Sequence, residues 1–365
     1  MKKILFITNI PVPYRIDFYN ELGKHFDLTV IFEAKGASDQ GIKFNWNIDK
    51  ISNFRAIFLS QGDIKEKKID WSIFKYLKEK YDEIIVTNYS YFTEMIAIIY
   101  LKILHIPYYM ETDGGVIRKE NLIKKLYKKF LISGAKGYFS PSEMSDKYLS
   151  FYGAKDNLIY RYSFTSMHQS AILNRELTMS QKRHYKKKLN ISEKIMILGV
   201  GQFIHRKGWD VLLNSSKNFD NNLGVYIVGS EPIEEYVTIK NKLGKENIHF
   251  EGFKNSDELR EYYMAADLFV LPTREDIWGL VINEAMSYGL PIITTDHCVA
   301  GLELVKDREN GFVIGVDDVS RLSECILTLV HDDKLRQSMG YNSLNKIRNY
   351  TIENMALEHK KILSN

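Results

Sequence analysis

Short apolar runs separated by amphipathic stretches constrain this chain more than any other feature. In the first half KILFITN, LTVIFE, RAIFL, DEIIVT, PYYM, KGYFS and NLIY read as strands, with WSIFKYLKEK, YFTEMIAIIYLKIL and SEMSDKYLSFYG as helical pieces among them. The alternation starts again near residue 195 with IMILGVG, WDVLLNSS, GVYIVG, IEEYVTIKNKL, NIHFEG, DELREYYMAA, DLFVLP and PIITTD. Strands of about four to seven residues and helices of about ten are the lengths of βα units, which build parallel sheets. Between Ser170 and Glu193 the chain turns polar and basic, SAILNRELTMSQKRHYKKKLNISE, and a domain boundary is expected there. The reading is therefore α/β, with two Rossmann-like doubly wound domains over residues 1–172 and 194–346. A length of 365 residues suffices for two cores, and 45% apolar residues with only 7 prolines exclude disorder. No repeat of fixed period joins the halves, so a solenoid is excluded.

The apolar run at the start of MKKILFITNIPVPYRIDFY begins at once and no small-residue cleavage site follows, so it reads as a buried strand and not as a secretory signal. The longest candidate membrane span, MIAIIYLKILHIPYYM, is broken by Lys102, His105 and Pro107 and falls short of the roughly 20 residues required. Two cysteines, Cys298 and Cys325, make neither a disulfide framework nor a metal knuckle, which fits a reducing cytoplasm. A net charge of +4 is modest, and no nucleic-acid partner is expected. In RKENLIKKLYKKFLISGA, Leu122, Ile123, Leu126, Tyr127, Phe130 and Leu131 recur at helical spacing, with Lys124, Lys125, Lys128 and Lys129 between them. The apolar stripe is expected in the core. The lysines remain available to anionic lipid headgroups, a peripheral contact on the inner face of the cytoplasmic membrane.

The chemistry concentrates in PTREDIWGLVINEAMSYGLPI, Pro272 to Ile292, where Asp276 and Glu284 stand on either side of a helix start that follows the strand ADLFVL. Carboxylates at the carboxyl edge of a parallel sheet stand where open α/β folds bind ligands. Gly279 allows close backbone approach, and the amides from Leu280 onward can face an anion. A second motif, GVGQFIHRKGWD, Gly199 to Asp210, also follows a strand. Its Arg206 and Lys207 suit a diphosphate, and Gly201 permits a tight turn.

Together these two motifs resemble the retaining, nucleotide-sugar-dependent glycosyltransferases of the GT-B fold, the large family that includes sucrose synthases and many bacterial polysaccharide enzymes. The resemblance is strongest from Gly199 to Gly311 and thinner over the rest of the chain. Family members carry two glutamates separated by seven residues. Asp276 and Glu284 hold those positions, aspartate replacing the first glutamate, with Glu275 just outside the register. The resemblance implies that Glu284 accepts hydrogen bonds from the nucleotide ribose. Asp276 or Glu275 would contact the transferred sugar, and the amides at Gly279 and Leu280 would reach toward the sugar and diphosphate. Lys207 matches the family lysine on the donor phosphates, while Gln202 stands at the family arginine, leaving Arg206 or Gln202 for the second contact. Arg206 in an ordinary salt bridge is the plain alternative.

In the first half, YMETDGG places Asp113 where the family often has a histidine facing the donor sugar, and a shift of register would select Glu111 or Thr112. An Asx-turn before Gly114 explains Asp113 almost as well. The opening loop NIPVPYRIDF lacks the paired glycines of many relatives and offers Pro13 and Arg15, with Glu111, on the acceptor side, where Arg15 at a helix start calls for an acidic or phosphate-bearing partner, or a surface ion pair. The resemblance further implies an active site in the cleft between the halves and a final helix, residues 347–365, that returns to the first domain. Asp113, Lys207 and Asp276 are the candidate catalytic residues.

No Asp-x-Asp, His-Glu-x-x-His or paired-cysteine signature occurs, so neither metal nor cofactor is expected, and Arg, Lys and backbone amides would assist departure of the diphosphate. The expected partners are a nucleotide diphosphate sugar and a glycan or lipid-linked oligosaccharide acceptor. The alternatives are a GT-B-fold nucleotide-sugar epimerase or phosphorylase, or a noncatalytic nucleotide-sugar-binding subunit.

Overall fold

Strands that are apolar on both faces need helices on both sides, and the structure supplies them twice. In this computed structural model, which describes residues 1–36, 38–39, 42–43, 48–64 and 68–364, the chain forms two compact units. One joins Met1–Thr165 to Thr351–Asn365, and the other is Ser166–Tyr350.

The first unit holds β1 (Lys3–Thr8), β2 (Asp27–Gly36), a small hairpin of β3 (Ser38–Asp39) and β4 (Ile42–Lys43), then β5 (Arg55–Asp63), β6 (Glu83–Thr87), β7 (Tyr109–Glu111), β8 (Gly137–Ser140) and β9 (Ile159–Arg161). Its seven-stranded parallel sheet runs β5-β2-β1-β6-β7-β8-β9. Helices α1 (Pro13–Gly23), α2 (Ile73–Leu77), α3 (Phe92–Ile103), α4 (Leu122–Ile132) and α5 (Glu143–Phe151) connect these strands. Leu5, Ile7, Ile84 and Val86 pack with Ile98, Leu101, Leu131 and Leu149 on one side of this sheet. Order reverses between β1 and β6, so the crevice favoured for ligands opens at the carboxyl ends of those strands.

The second unit begins with α6 (Met179–Lys188) and alternates β10 (Ile195–Val200), α7 (Trp209–Ser215), β11 (Leu223–Val228), α8 (Glu234–Leu243), β12 (Ile248–Glu251), α9 (Ser256–Ala265), β13 (Leu268–Leu271), α10 (Leu280–Ser287), β14 (Ile292–Thr295), α11 (Val299–Leu304) and β15 (Gly311–Ile314). Helices α12 (Val319–His331) and α13 (Asp333–Ile347) follow. The parallel order is β12-β11-β10-β13-β14-β15, and β10 and β11 are buried along their whole length. Here the switch point lies between β10 and β13, the two strands that lead into the two motifs.

The last helix, α14 (Ile352–Leu363), belongs to the first unit, capped by Thr351, whose side chain accepts from the Asn354 amide. Its stripe of Ile352, Met355, Ala356, His359 and Leu363 is buried.

Several expectations are corrected. The boundary falls at Thr165/Ser166, before the basic stretch, and that stretch is not a linker. It contains α6, started by a capping box between Thr178 and Gln181 and tied down by Lys186 Nζ, which donates to Asp267 at 2.6 Å. The return to the first unit starts at Thr351 rather than 347, because α13 runs on to Ile347; Asn365 lies outside the described residues. Helix α4 is turned around. Leu122, Ile123, Leu126 and Phe130 are 69%, 81%, 56% and 51% exposed, while Leu131 and Ile132 are buried and Lys128 lies inward over the rings of Tyr148 and Tyr152. Periodicity reveals a stripe and leaves open the direction it faces.

Candidate functional site

Two loops meet at the carboxyl edge of the second sheet, one after β10 and one after β13, because parallel neighbours end side by side. Gly208 makes their approach feasible: its φ is +69°, and a Cβ there would lie 2.1 Å from the Pro272 carbonyl oxygen. Lys207 Nζ donates to Asp276 Oδ2 at 2.6 Å, both residues buried, and Arg206 Nη1 stands 3.5 Å from Asp276 Oδ1. The same Arg206 nitrogen donates to the Glu275 carbonyl at 2.7 Å. Asp276 is fixed at the backbone as well, its amide donating to His297 O and its carbonyl accepting from the Val299 amide. Lysine has three donor hydrogens, so the contact to Asp276 leaves capacity for phosphate oxygens. Between the two acids that the sequence left open, Asp276 is the one on Lys207, while the Glu275 side chain is half-buried. The plain alternative for Arg206, a salt bridge to a neighbouring helix, gives way to these contacts with the motif loop.

Gly279 caps α10 with φ +101°, and no side chain caps that helix; the Ile282 amide donates to the Gly279 carbonyl at 2.9 Å, which leaves the Leu280 and Val281 amides to face an anion. Leu280 opens the helix. Glu284 is half-buried one turn further on. Its Oε2 accepts from Tyr263 OH at 2.8 Å and its Oε1 from Ser166 Oγ at 3.4 Å. Burial pushes its carboxyl above the ordinary range, although those two hydrogen bonds work the other way. Gly201 sits against the Lys207 and Trp209 side chains, and exposed Gln202 accepts at its carbonyl from Trp209 Nε1. Thus Arg206, Lys207 and Asp276 form one cluster, and Glu284 forms a second with Tyr263 and Ser166.

In the first unit, Arg15 on α1 is 2% exposed and pairs with two carboxylates. Nη1 donates to Glu111 Oε1 at 2.7 Å and Nη2 donates to Asp113 Oδ1. A surface ion pair for Arg15 is therefore corrected to a buried one, and Glu111, fully buried, lies beneath the surface instead of facing an acceptor. Asp113 keeps a side-chain exposure of 30%. The turn before Gly115 is made by Thr112, whose hydroxyl accepts from the Gly114 amide at 3.2 Å, so Asp113 is released from the expected Asx-turn. Burial and the Glu111 charge raise the Asp113 carboxyl despite Arg15. Pro13 occupies the first position of α1 and is exposed.

Sequence reasoning missed Tyr263, Ser166 and Arg274. Arg274 donates to both oxygens of Asp210, at 3.0 and 2.6 Å, and to the His205 carbonyl at 2.7 Å, bracing the motif loops against each other. Arg274 lies inside the motif and Asp210 in the first turn of α7, a pairing visible only once β10 and β13 are neighbours. A cavity of about 330 Å³ opens at the other end of the sheet, lined by Lys182, Lys186, Ile195, Asp267, Pro291 and Arg336. It sits at the amino ends of β10, β13 and β14 and is remote from this chemistry. Among the described residues no cluster of His, Cys, Asp or Glu is arranged to hold a metal ion, and no helix is long and apolar enough to cross a membrane.

Two Rossmann-like parallel sheets, with charged loops at the switch point of the second, define an α/β protein of the GT-B class. HepE of Anabaena, in a structure with UDP-glucose, shares this fold with a TM-score of 0.78 over 100% of both chains at 16% identity. The model of the family Glycosyl transferases group 1 matches residues 181–346, the greater part of the second unit. It is 31% identical over 168 residues to an uncharacterized glycosyltransferase of Methanocaldococcus jannaschii, covering 45% of this chain and 46% of that protein. It is 27% identical over 169 residues to the capsular polysaccharide biosynthesis glycosyltransferase CapM of Staphylococcus aureus, covering 45% of this chain and 44% of CapM. The matched stretches span about half the length of these two curated relatives or less.

Proposed function

We propose that this protein is a retaining glycosyltransferase that moves a sugar from a nucleotide diphosphate sugar to a glycan or lipid-linked acceptor in bacterial surface polysaccharide synthesis. The observation that carries the reading is the buried Lys207–Asp276 pair, with Arg206 beside it, at the switch point of the second sheet. Lys207, Arg206 and the first amides of α10 neutralise charge building on the departing diphosphate. Asp276 accepts from hydroxyls of the transferred sugar and Glu284 from the ribose, each carboxylate keeping unused lone pairs beside its present partners. The acceptor oxygen enters from the face the nucleotide leaves and passes its proton to a donor phosphate oxygen, so neither a protein base nor a cofactor is required. The names of CapM and of HepE with UDP-glucose support the polysaccharide and nucleotide-sugar parts of the reading. Asp113, partly exposed and braced by Arg15, is proposed as a further catalytic residue.

The outward apolar arc of α4, edged by Lys124 and Lys129, supports a cytoplasmic enzyme held peripherally on an anionic membrane face, where a lipid-linked acceptor is found. The test is a thermal-shift screen of nucleotide diphosphate sugars, followed by mass detection of transfer to glycan and lipid-linked acceptors. A donor that stabilises the parent protein but neither Lys207→Met nor Asp276→Asn is expected. Equal stabilisation of all three would overturn the assigned donor site.

A further inference from the structure

The returning helix α14 brings an imidazole ring into the first unit, and one nitrogen of that ring faces a buried carboxylate oxygen without a hydrogen bond. His359 is fully buried. Its Nδ1 lies 2.8 Å from the Met355 carbonyl oxygen, which only accepts, so Nδ1 bears a hydrogen. Its Nε2 faces Glu111 Oε2 at 3.7 Å, and neither of these two buried atoms has a hydrogen-bond partner. The ring is held in place on three sides. Phe139 stacks on it at 4.4 Å with planes 9° apart, and Phe18 and Tyr162 present their edges at 4.8 and 4.7 Å. A neutral ring in this cage would aim the Nε2 lone pair at a carboxylate oxygen, an arrangement that buries two unmet acceptors face to face. A hydrogen on Nε2 turns the same geometry into a charge-assisted contact that closes with a small shift.

The charge count points the same way. Arg15 is the cation shared by Glu111 and Asp113, and with both acids ionised the buried set carries an excess negative charge. The titratable neighbours are Tyr14 and Tyr19 on α1, Glu111 and Asp113 at the end of β7, and Tyr162 after β9. All three tyrosines are held neutral by burial first. On α14 itself, Glu358 is turned to Ser163, accepting from its amide at 2.6 Å. Among the described residues, the ion pairs of Glu111 and Asp113 are with Arg15 and His359 alone.

We propose that His359, doubly protonated on Nδ1 and Nε2, is a positioning residue for the Asp113 loop. It holds one oxygen of Glu111, so that the other oxygen anchors Arg15 and the second arm of Arg15 is presented to Asp113. The helix that ends the chain thereby sets the orientation of a carboxylate in the loop after β7. The functional half of this inference rests on the proposed role of Asp113, whereas the protonation half stands without it.

The experiment separates the two. Full-length protein labelled with 15N-histidine is examined by NMR at pH 7, with His359→Gln assigning the signal. The parent should show both ring nitrogens protonated, and Glu111→Gln should convert His359 to the neutral form with hydrogen on Nδ1. A neutral ring in the parent, or an unchanged ring in Glu111→Gln, overturns the inference. For function, turnover of UDP-glucose as probe donor should fall at least tenfold in His359→Phe, which keeps the stacking and loses the donor, and recover in part in His359→Gln. Affinity for UDP, measured by calorimetry, should stay unchanged in both. His359→Phe turning over like the parent, or losing UDP affinity in step with turnover, would reject a positioning role. An inactive parent would count against the proposed function alone and leave the NMR result to decide the protonation.

Discussion

Replacing Lys207 with methionine separates its observed role, the pair with Asp276, from its proposed one, the grip on donor phosphates. Side-chain exposures of 11% for Lys207 and 13% for Asp276, with 2.6 Å between them, make this a nearly desolvated pair. Removing one partner of a buried pair costs roughly 3–5 kcal/mol when nothing replaces it. Arg206 remains, 3.5 Å from the other oxygen of Asp276 and far more exposed, so the loss should shrink to about 2–3 kcal/mol. For a unit of this size that corresponds to roughly 4–12 °C in Tm. Asp276→Leu should destabilise comparably by leaving a buried ammonium without its anion. The double variant Lys207→Met/Asp276→Leu should regain most of the loss, giving a coupling energy of about 2 kcal/mol in a double-mutant cycle. Unfolding in urea can be followed through Trp209 and Trp278, both buried in the second unit. Donor affinity forms the second readout, falling roughly tenfold to a hundredfold for loss of a charged hydrogen bond to phosphate. Arg206→Gln is the counterpart, expected to weaken donor binding with little change in stability. Additive single-variant effects in the cycle, or an unchanged donor Kd in Lys207→Met, would refute the reasoning.

Glu33 on β2 is pushed up to about 7 by burial, against the Glu94 amide that donates to it. Its pKa is raised in the folded state, so unfolding releases a proton between about pH 4.5 and 7 and stability falls as pH rises through that window, by roughly 3 kcal/mol at most. Glu33→Gln should flatten the pH dependence of urea unfolding between pH 5 and 8, and parallel curves for variant and parent would count against it. For α4, Ile123→Glu/Leu126→Glu should abolish flotation with phosphatidylglycerol vesicles while UDP binding persists; retention of flotation by the variant, or no flotation by the parent at low salt, would reject the membrane face. Thr178→Ala should cost the second unit about 1 kcal/mol through the lost cap on α6, read by the same denaturant curves.

The two motif loops were legible because each motif stands directly after an apolar strand, and the topology of a parallel sheet then leaves those loops little freedom of place. Pairing of Lys207 with Asp276 follows from β10 and β13 being neighbours, which the sequence order alone does not reveal. Helix α6 was readable in principle, since Thr178 and Gln181 have capping-box spacing, but lysines and arginines masked it as a linker. Strand β15 is four residues, opening on Gly311 and followed by Gly315, and offers no alternation to detect. The face of α4 was misjudged because burial is decided by what packs beside a helix, and its own periodicity is the same in either orientation. The His359–Glu111 contact joins distant parts of the chain, and nothing local in HKKIL distinguishes that histidine from a surface one.

Because α14 completes the first unit, residues 1–165 reach their final packing only after the second unit has been synthesised. At about 5–20 residues per second, the second unit and α14 take roughly 10–40 s to synthesise. Throughout that interval Phe18, Phe139 and Tyr162 wait without the helix whose His359 ring they enclose. The second unit, contiguous from Ser166 to Tyr350, can close as soon as it is made. Through that interval α1 and the Phe139 ring of β8 lack the cover of α14, and a chain stopped at Tyr350 would lack it permanently.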